Sequence, residues 1–412
     1  TIMYYLLVQI LAQHCEITKY DQMNLTSENA DLNVRLSTEA LFRVLDLQLE
    51  IVSKMCQQVP IPDQEFSAIG IKFKLTDLKF ANADFQNTKG QNFGDHALFT
   101  INDASIKLIF QYTFQQETFP YVGGEGSGIA DLVLDIQLDT GVGLSDTCQY
   151  HFALKNLHAG MQMKNFQLQL PDAPALIQAL VNILTAVFEN IFNEITMYWL
   201  NQLGDILNDN LNRGHTYNAV DLQFSTDQRN IAYELNDAMI FQTSGQMCNV
   251  VYDQQRCIGW QKDPQKISQK PQKFINRQVQ FFMSTNAVQS VFDHINLMQL
   301  STDEITVLKV VNTGVLVSVK NPDFTAHILC NIRGKTVKVD SDNYTQPVIV
   351  MKKVVQTSKQ FDVEYYFNHM NAIFAKCVQN IYTFGFVDEN EQTIIYQSPS
   401  WIIMGLDLYK DE

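Results

Sequence analysis

Two stretches of this chain carry nearly the same phrase. Val34–Leu45 reads Val-Arg-Leu-Ser-Thr-Glu-Ala-Leu-Phe-Arg-Val-Leu, and Phe281–Phe292 reads Phe-Phe-Met-Ser-Thr-Asn-Ala-Val-Gln-Ser-Val-Phe. In both, an alternating pattern typical of a strand changes to a helical pattern at a serine that can cap the first turn, Ser37 or Ser284. Solenoid repeats recur every ~20 to 50 residues, whereas these phrases lie more than 200 residues apart. The repeat therefore predicts two copies of one domain in tandem.

The composition limits the class of protein. The chain has 412 residues, of which 46% are hydrophobic and 18% charged, so it can form two domains with extensive cores. Its formal net charge is −15 at pH 7. A chain this acidic repels phosphate groups, and it has no run of basic residues with interleaved aromatic residues. We therefore exclude nucleic acid as a partner and expect anionic lipid surfaces to be poor partners.

The first copy begins with a helix and continues with strands. The helix is predicted over about Thr38 to Gln57, and the two prolines of Val59–Asp63 end it because proline cannot continue a helix. From Ile69 to Leu170 the apolar residues recur at every second position, which predicts a curved antiparallel meander. The apolar residues expected on the inward faces of this helix and of one strand are Leu41, Leu45, Leu49, Val52, Leu132, Leu134 and Ile136.

A helix of some 40 residues follows the meander. Asp172 can cap its start and Gly214 can close its end. Its main apolar stripe consists of Leu176, Leu180, Leu184, Val187, Ile191 and Ile195. Further large apolar residues make the helix apolar almost all round, which is more than a single sheet can cover. Either another protein surface or a bound apolar molecule must cover the remainder.

From Phe274 the order of elements repeats in shortened form. A helix is predicted over Thr285 to Met298, a second long helix over Phe361 to Tyr382 and a last strand over Trp401 to Tyr409. The residues expected to point inward in this copy are Val291, Phe292, Phe367, Met370 and Phe374. The predicted division is an apolar N-terminal segment (1–20), a first domain (21–245), a junction (246–273) and a shorter second domain (274–412).

Several features are compatible with secretion. Ile2–Ala12 is too short to span a bilayer and resembles the core of a signal peptide, although a buried first strand or helix is the alternative. Asn24 and Asn343 begin glycosylation acceptor triplets. There are seven cysteines. If Cys15 belongs to the targeting segment, the other six can pair; the alternative is seven reduced, buried thiols. We expect a protein that is secreted or lies in the lumen of the secretory pathway.

Motifs that suggest catalysis have simpler explanations. Asp139–Gly141 reads Asp-Thr-Gly, as in aspartic proteases, but the matching Asn312–Gly314 offers an amide where a second carboxylate is needed. We interpret the first phrase as a hairpin turn. Gly123–Gly128 is glycine-rich, but a strand follows it instead of a helix that could hold a phosphate, so we interpret it as a mobile hairpin loop. The cysteines and histidines fit no metal-site spacing. We predict that the protein is not an enzyme and that it binds no metal ion or cofactor.

The order of these elements resembles the family of bactericidal/permeability-increasing protein, lipopolysaccharide-binding protein and the plasma lipid transfer proteins. The likeness begins with the Val-Arg-Leu-Ser phrase and Val59–Asp63. It continues through the strand with Cys148, the long helix from Asp172 and the last strand, Trp401–Lys410. The resemblance implies an α+β fold of two tandem tubular lipid-binding barrels. Each barrel is a curved antiparallel sheet wrapped on a long helix, and a central sheet joins the two.

The resemblance also implies ligands and disulfides. The family joins a strand to the long helix of the first barrel, but residues 172–213 contain no cysteine, so Cys56 on the first helix is the substitute partner for Cys148. A corresponding bridge in the second barrel is Cys330–Cys377. Cys248 and Cys257 flank a short connection and could close it, which leaves Cys15 unpaired.

Residues 30–215 contain 11 Lys and Arg against 21 Asp and Glu, unlike the basic antibacterial members. We therefore expect the bound lipid to be a neutral or zwitterionic phospholipid or similar lipid. Contact with a membrane surface is compatible with that function.

The sequence thus favours a non-enzymatic lipid-binding or lipid-transfer protein that holds acyl chains in apolar grooves. The alternative is a structural or assembly subunit that uses the same fold as a scaffold, with lipid as core filler. A lipid hydrolase is a third possibility, but it needs a nucleophile at the groove, and no motif supplies one.

Overall fold

The computed structural model describes most of the chain. The described residues are 15, 19–20, 30–42, 61–85, 88–92, 96–171, 173, 175–213, 217–218, 225–227, 229–235, 238–251, 256–259, 275–339, 342–377, 383–385 and 393–407. The chain forms two compact units. Unit 1 consists of Thr1–Leu41, Gly143–Ala153 and Asp209–Glu412, and unit 2 consists of Phe42–Val142 and Leu154–Asn208. The fold is mostly sheet, with few helices among the described residues.

The sheet of unit 2 is an antiparallel meander that curls around a helix. Its strands are β3 (Gln64–Ala68), β4 (Ile71–Asp84), β5 (Thr88–Asn92), β6 (Ala97–Gln116), β7 (Gly123–Leu144) and β8 (Phe152–Gln169), in the order β3-β4-β6-β7-β8 with β5 paired to β6. The helix is α1 (Ala175–Arg213). Phe66 on β3 lies 5.3 Å from the ring of Phe188, and Phe166 on β8 lies 5.8 Å from the ring of Phe192. Both edge strands therefore contact the same helix, and the sheet is a curled half-barrel.

The inward face of this sheet and the buried side of α1 form one core. Alternate residues of β4, β6 and β7 are buried, as the period of two predicts. The long helix is confirmed over nearly its whole predicted length, and Phe188 and Phe192 are fully buried against the sheet. Because both faces of the core come from distant parts of the chain, the sheet and the helix stabilise each other.

A bulge bends β6 where its pairing with β7 shifts register, between Ile101 and Ala104. Asp103 takes a left-handed backbone conformation there (φ 56°), and its amide donates to Oδ1 of Asp135 at 3.0 Å. Lys164 on β8 contacts both carboxylates at 2.8 Å on the outer face. The hydrogen bond from Lys164, followed by that from the Asp103 amide, lowers the pKa of Asp135. Three adjacent strands are thus joined at the bend.

The glycine-rich segment predicted to be a loop lies in strand β7. Gly124, Gly126 and Gly128 pair across the sheet with Phe114, Tyr112 and Phe110, respectively. A Cβ atom on Gly126 would lie 2.6 Å from Tyr112 Oη, and one on Gly124 would lie 2.8 Å from Phe114 Cε1. The aromatic side chains of β6 therefore occupy the space that side chains on β7 would need. The loop interpretation was wrong because this pairing involves residues that are distant in sequence.

The predicted turn at Asp139–Gly141 was also wrong. These residues lie within β7, where Thr140 pairs with Ala97 and donates from Oγ1 to the carbonyl of Lys155 on β8 at 3.2 Å. The strand continues because partners remain available on both sides. The phrase Asn312-Thr313-Gly314, by contrast, forms the turn between two strands of unit 1.

A six-stranded sheet in unit 1 contains the strands of both repeated phrases. Its order is β11 (Asn230–Leu235), β12 (Ala238–Thr243), β2 (Leu32–Ser37), β15 (Val279–Ser284), β22 (Trp401–Leu406) and β21 (Thr393–Gln397). Strands β2 and β15 pair antiparallel, and the first residues of the two phrases, Val34 and Phe281, lie opposite each other. The amide of Ser37 donates to Gln278 at 2.7 Å, and the amide of Ser284 donates to Asp31 at 2.8 Å. The two copies of the phrase are thus related by a local two-fold symmetry.

Both serines cap helices, as the sequence predicts. Ser37 Oγ accepts from the amide of Ala40 at 3.1 Å, at the start of a helix described over residues 38–42. Ser284 Oγ accepts from the amides of Asn286 and Ala287 at the start of α2 (Thr285–Leu297). The bounds predicted for α2 are confirmed to within one residue.

A buried carboxylate supports the second cap. Asp31 is fully buried, and its Oδ1 accepts from Ser284 Oγ at 2.6 Å while its Oδ2 accepts from Gln246 Nε2 at 2.7 Å. Desolvation raises the pKa of Asp31 above 3.8, although these hydrogen bonds oppose the shift. The carboxylate therefore connects the start of β2, the segment at Gln246 and the start of α2.

The raised pKa of Asp31 predicts a pH-dependent stability. A carboxyl group whose pKa is higher in the folded state stabilises that state below the unfolded pKa of 3.8, and this stabilisation is lost as the pH rises through the folded pKa. We expect Asp31→Asn to remove that dependence. The free energy of unfolding of the variant, relative to the original protein, should therefore increase as the pH rises above 3.8. Urea denaturation across this range checks the slope, and a difference that stays constant with pH contradicts the expectation.

The remaining parts of unit 1 are two five-stranded sheets and two helices. One sheet has the order β1 (Lys19–Tyr20), β14 (Arg256–Gly259), β13 (Met247–Val251), β10 (Ser225–Asp227) and β9 (Tyr217–Asn218). The other has the order β16 (Glu304–Val311), β17 (Gly314–Lys320), β18 (Thr325–Val339), β19 (Asp342–Thr357) and β20 (Thr383–Gly385). The second sheet packs with α2 and α3 (Val363–Cys377) around one apolar core. Helix α3 is described over a shorter range than predicted.

The disulfide predictions need correction. Cys148 forms a disulfide with Cys15, so the pairing with Cys56 and the assignment of Cys15 as unpaired were wrong. Cys148 lies in the turn between β7 and β8, where Cys15 Sγ also contacts the carbonyl oxygen of Thr147. Cys330 and Cys377 are free and buried, so the pairing between them was wrong as well.

Other disulfide and modification sites are described only in part. Cys248 is disulfide-bonded. The side chains of Cys56 and Cys257 lie outside the described residues, so Cys248–Cys257 stays a prediction. Asn24 and the residues up to 14 also lie outside them, while Asn343 lies on β19 opposite Lys338.

Candidate functional site

Partly exposed apolar side chains of an edge strand and of the helix border the core of unit 2. Strand β8 is the last strand of the sheet, and its side chains alternate between the two faces. Those on the outward face, such as Gln162 and Gln167, are exposed, whereas those on the inward face are apolar and only partly buried. Three residues of α1, Val187, Ile191 and Met197, are also apolar, partly buried and packed against the same core. We call six of these side chains the β8–α1 strip: Met161, Met163, Phe166, Leu168, Val187 and Ile191.

The strip is chemically suited to a flexible apolar ligand. All its members are apolar, and methionine side chains adapt to irregular surfaces because they have three rotatable bonds and a polarisable sulfur. Phe166 ties the strip to the core through the ring of Phe192. The strip thus contacts the packed core on one side and solvent on the other.

The charged side chains described on β8 and α1 are mainly acidic. Glu189 and Glu194 lie on exposed positions of α1. Lys164 is on the outward face of β8, where Asp103 and Asp135 neutralise it. Glu194 follows Ile191 by three positions and therefore lies on the same side of the helix, where it would repel an anionic head group but not a neutral or zwitterionic one.

The structure places the predicted lining residues of unit 2 in two environments. Leu132, Leu134 and Ile136 lie on the middle of β7 and are fully buried in the core together with Ile195. Val187 and Ile191 belong to the partly exposed strip. The other predicted lining residues of this copy lie outside the described part: the side chains of Leu176, Leu180 and Leu184, and the residues Leu45, Leu49 and Val52.

The predicted residues of unit 1 lie in its own core. Phe292, Met370 and Phe374 are fully buried in one cluster, with Val291 and Phe367 packed against it. The rings of Phe292 and Phe374 are 5.4 Å apart. Leu41 is buried at the start of the first helix.

Sequence reasoning missed Met161 and Met163 and did not single out Phe166 and Leu168 as lining residues. Their period-two pattern was visible, since Phe166 and Leu168 alternate with polar residues. However, the pattern does not show that β8 is an edge strand, which has no further strand beside it to cover its inward face.

A cluster of polar side chains lies inside unit 1. Tyr366 Oη donates to Asp303 Oδ2 and Asn321 Nδ2 donates to Asp303 Oδ1, each at 2.6 Å. The rings of Phe324 and Phe361 lie within 5.6 Å of the Tyr366 ring. Burial and the Asp303 carboxylate raise the pKa of Tyr366, so its hydroxyl stays protonated and donates. This arrangement stabilises the core and supplies no base or nucleophile.

The free thiols are not suited to nucleophilic chemistry. Burial raises the pKa of both Cys330 and Cys377 to about 12. Thiolate is the reactive form of cysteine, and these thiols hold almost none of it near neutral pH.

The described residues contain neither a candidate metal site nor a candidate membrane span. No group of three or more His, Cys, Asp or Glu side chains there could hold a metal ion. No described helix combines the length and apolarity that crossing a membrane requires.

Comparison with known proteins identifies the fold. No family model and no curated protein matches the chain. Among solved structures, lipopolysaccharide binding protein matches with a TM-score of 0.52 and 10% sequence identity, over 93% of this chain and 100% of that one. Takeout 1 of Epiphyas postvittana matches with a TM-score of 0.30 and 12% identity, over 47% of this chain and 95% of that one. P47 of Clostridium botulinum E1 matches with a TM-score of 0.24 and 10% identity, over 93% of this chain and 100% of that one.

The likeness to lipopolysaccharide binding protein concerns the fold alone, since only 10% of the aligned residues are identical. The chain has a sheet-rich fold similar to that of a protein named for binding a lipid. This agrees with the resemblance drawn from the sequence at the level of fold.

Proposed function

We propose that this chain is a non-enzymatic lipid-binding protein that holds acyl chains against the β8–α1 strip of unit 2. The observation that carries the proposal is a set of partly exposed apolar side chains on an edge strand and on α1, all packed against one core. Each methylene group removed from water contributes about 0.8 kcal/mol. An acyl chain covering the strip would therefore be held by several kcal/mol, even after its ordering entropy is subtracted.

The proposal includes the finer features that the sequence predicts. The lipid is neutral or zwitterionic, because Glu194 shares the helix side of Ile191 and Lys164 is neutralised by Asp103 and Asp135. The chain is a tandem of two tubular barrels, with residues 21–245 and 274–412 as the two copies and 246–273 as the junction. The Cys15–Cys148 disulfide supports an oxidising compartment, such as the secretory pathway or the extracellular space. Transfer of lipid between membranes is compatible with this function.

One observation favours the scaffold alternative. Leu132, Leu134 and Ile136 are covered by protein side chains, so the middle of the β7 face needs no lipid to fill it. In a scaffold, the β8–α1 strip would be covered by another protein, and lipid would be absent or incidental. The two functions differ in whether protein purified without detergent contains lipid.

A charge placed on the strip tests the proposal. Protein purified without detergent should contain a one- or two-chain lipid in near-stoichiometric amount, detected by native mass spectrometry and by extraction. Met163→Glu should lose most of this lipid, because an acyl chain cannot pay the cost of desolvating a carboxylate. Gln162→Glu is the matched control, since it adds the same charge to the exposed outward face of the same strand. It should keep the lipid.

Two results contradict the proposal. If the original protein contains no lipid, the scaffold function is favoured. If Met163→Glu and Gln162→Glu retain the same amount of lipid, any lipid present lies elsewhere than on the β8–α1 strip.

A further inference from the structure

Four exposed apolar side chains lie together at one end of the unit 2 sheet. Phe119 and Tyr121, in the turn between β6 and β7, are 84% and 63% exposed, and their ring centroids are 6.2 Å apart. Ile69, in the turn between β3 and β4, and Val122 are also exposed. The amide of Glu117 donates to the carbonyl oxygen of Gly70 at 2.8 Å, which joins the two turns. We call Ile69, Phe119, Tyr121 and Val122 the apolar tip.

Several backbone amides at the tip are hydrogen-bonded within the protein and do not need water as a partner. The amides of Gln116, Glu117 and Tyr121 donate to Val122, Gly70 and Thr118, respectively, at 2.8 to 3.0 Å. Residues 118–124 carry no charged side chain. Glu117 lies beside them, and its carboxylate accepts from Ser67 Oγ at 2.7 Å. Backbone groups that are paired within the protein lose less free energy when they leave water for a lipid layer.

The tip also keeps apolar side chains where the backbone disfavours them. Ile69 and Tyr121 have left-handed φ angles of 55° and 50°. Such positions favour glycine or asparagine, and a β-branched residue is rarely found there. Glycine or asparagine would relieve the backbone and make the turns more soluble. Binding of these apolar side chains to another surface would explain both the strained backbone and their exposure.

We propose that the apolar tip docks unit 2 on the surface of a zwitterionic lipid layer, with Phe119 and Tyr121 entering the interfacial region. A few apolar and aromatic side chains are sufficient for reversible attachment to such a surface, where an aromatic ring with a polar hydroxyl is well placed. A stable protein interface needs about 1,000 Å² or more, which four side chains do not supply. The net charge of −15 argues against anionic lipid.

This proposal extends the proposed function without depending on it, because the tip and the β8–α1 strip share no residue. The tip supplies attachment to a lipid layer, whereas the strip holds a single lipid. Either activity can exist alone, so each has its own measurement: vesicle binding for the tip and extracted lipid for the strip.

The test is flotation of the full chain with phosphatidylcholine vesicles. The original protein should float with the vesicles equally at low and high salt, because the attachment is apolar. The double variant Phe119→Ser/Tyr121→Ser should bind at least about tenfold more weakly, since it loses both interfacial anchors. Tyr365→Ser is the control, because Tyr365 is 72% exposed but lies on α3 in unit 1. Its vesicle binding should be unchanged, and both variants should keep the original unfolding midpoint.

Several results overturn the docking proposal. These are a lack of vesicle binding by the original protein, equal binding by the double variant, an equal loss in Tyr365→Ser, or binding that needs anionic lipid and disappears at high salt. If the protein instead self-associates through the tip without binding vesicles, the double variant would elute as a smaller species in size-exclusion chromatography. The tip would then bind a second copy of the chain. Lipid extracted from the double variant should match the original amount, which separates failure of docking from failure of lipid carriage.

Discussion

Leu134→Asp should destabilise unit 2 by more than about 4 kcal/mol, a large effect for a single substitution. Leu134 is fully buried on the middle of β7, opposite Ala104 across the strand pair. The described members of its core are apolar side chains with no cation among them. A carboxylate there has no partner of opposite charge, so it must either stay ionised in a poor solvent or take up a proton, and both cost free energy.

Urea denaturation monitored by circular dichroism measures this effect. The matched control is Val133→Asp, the neighbouring position on the outward, half-exposed face of the same strand. It should cost about 1 kcal/mol or less, because its carboxylate remains hydrated. If Leu134→Asp is as stable as Val133→Asp, the β7 face is open to water and lines a cavity. If the variant also stays folded but loses bound lipid, the groove extends onto β7.

Gly128→Val should destabilise unit 2 by roughly 3 kcal/mol. A Cβ atom at this position lies 2.5 Å from Phe110 Cε2 and 2.9 Å from Leu170 Cδ2, so both side chains must move. Phe110 packs against Phe188 and Phe192 with centroids 6.0 and 5.4 Å apart. Moving its ring therefore disturbs the contact between sheet and helix. Valine has a higher strand propensity than glycine. A lower free energy of unfolding in this variant therefore reports the disturbed aromatic packing.

Gly160→Val provides the comparison. Gly160 lies on β8, and its Cβ would be 3.8 Å from the nearest other side chain, an ordinary van der Waals contact. This variant should be neutral or slightly stabilising, because glycine weakens strand interiors. Equal midpoints for the two variants would show that Phe110 can leave the space over Gly128 without cost. The same result would restore the interpretation of this segment as a loose hairpin.

Much of the local structure could be predicted because it depends on residues close in sequence. The serine caps at Ser37 and Ser284 follow from a side chain and the amides two or three positions later. The bounds of α2 and nearly all of α1 follow from apolar periodicity with a period of 3.6. The alternation along β6 and β7 follows from the strand period of two.

Part of the candidate site could be predicted for the same reason. Val187 and Ile191, which belong to the proposed strip, were predicted as lining residues because they continue the apolar stripe of the long helix. Their partners on β8 could not be selected, because every inward strand position carries the same signal. What distinguishes Met163 from Leu134 is the presence of a further strand beside β7 and its absence beside β8.

The disulfides show where resemblance and spacing are insufficient. Cys148 bonds to Cys15, 133 positions away in sequence, and Cys330 and Cys377 remain free although both border one core. Whether two cysteines pair depends on the distance and direction between their Cβ atoms, and sequence spacing does not contain this information.

By itself, the sequence determined the periodic elements, the caps, the acidic charge balance and the presence of two related phrases, because each depends on composition or on near neighbours. Only the tertiary structure decided that Val34 lies opposite Phe281, that aromatic rings cover the glycines of β7 and that β8 is an edge strand. These features depend on contacts between distant residues. Such contacts form only when the whole chain folds, and they set which apolar side chains remain open to solvent.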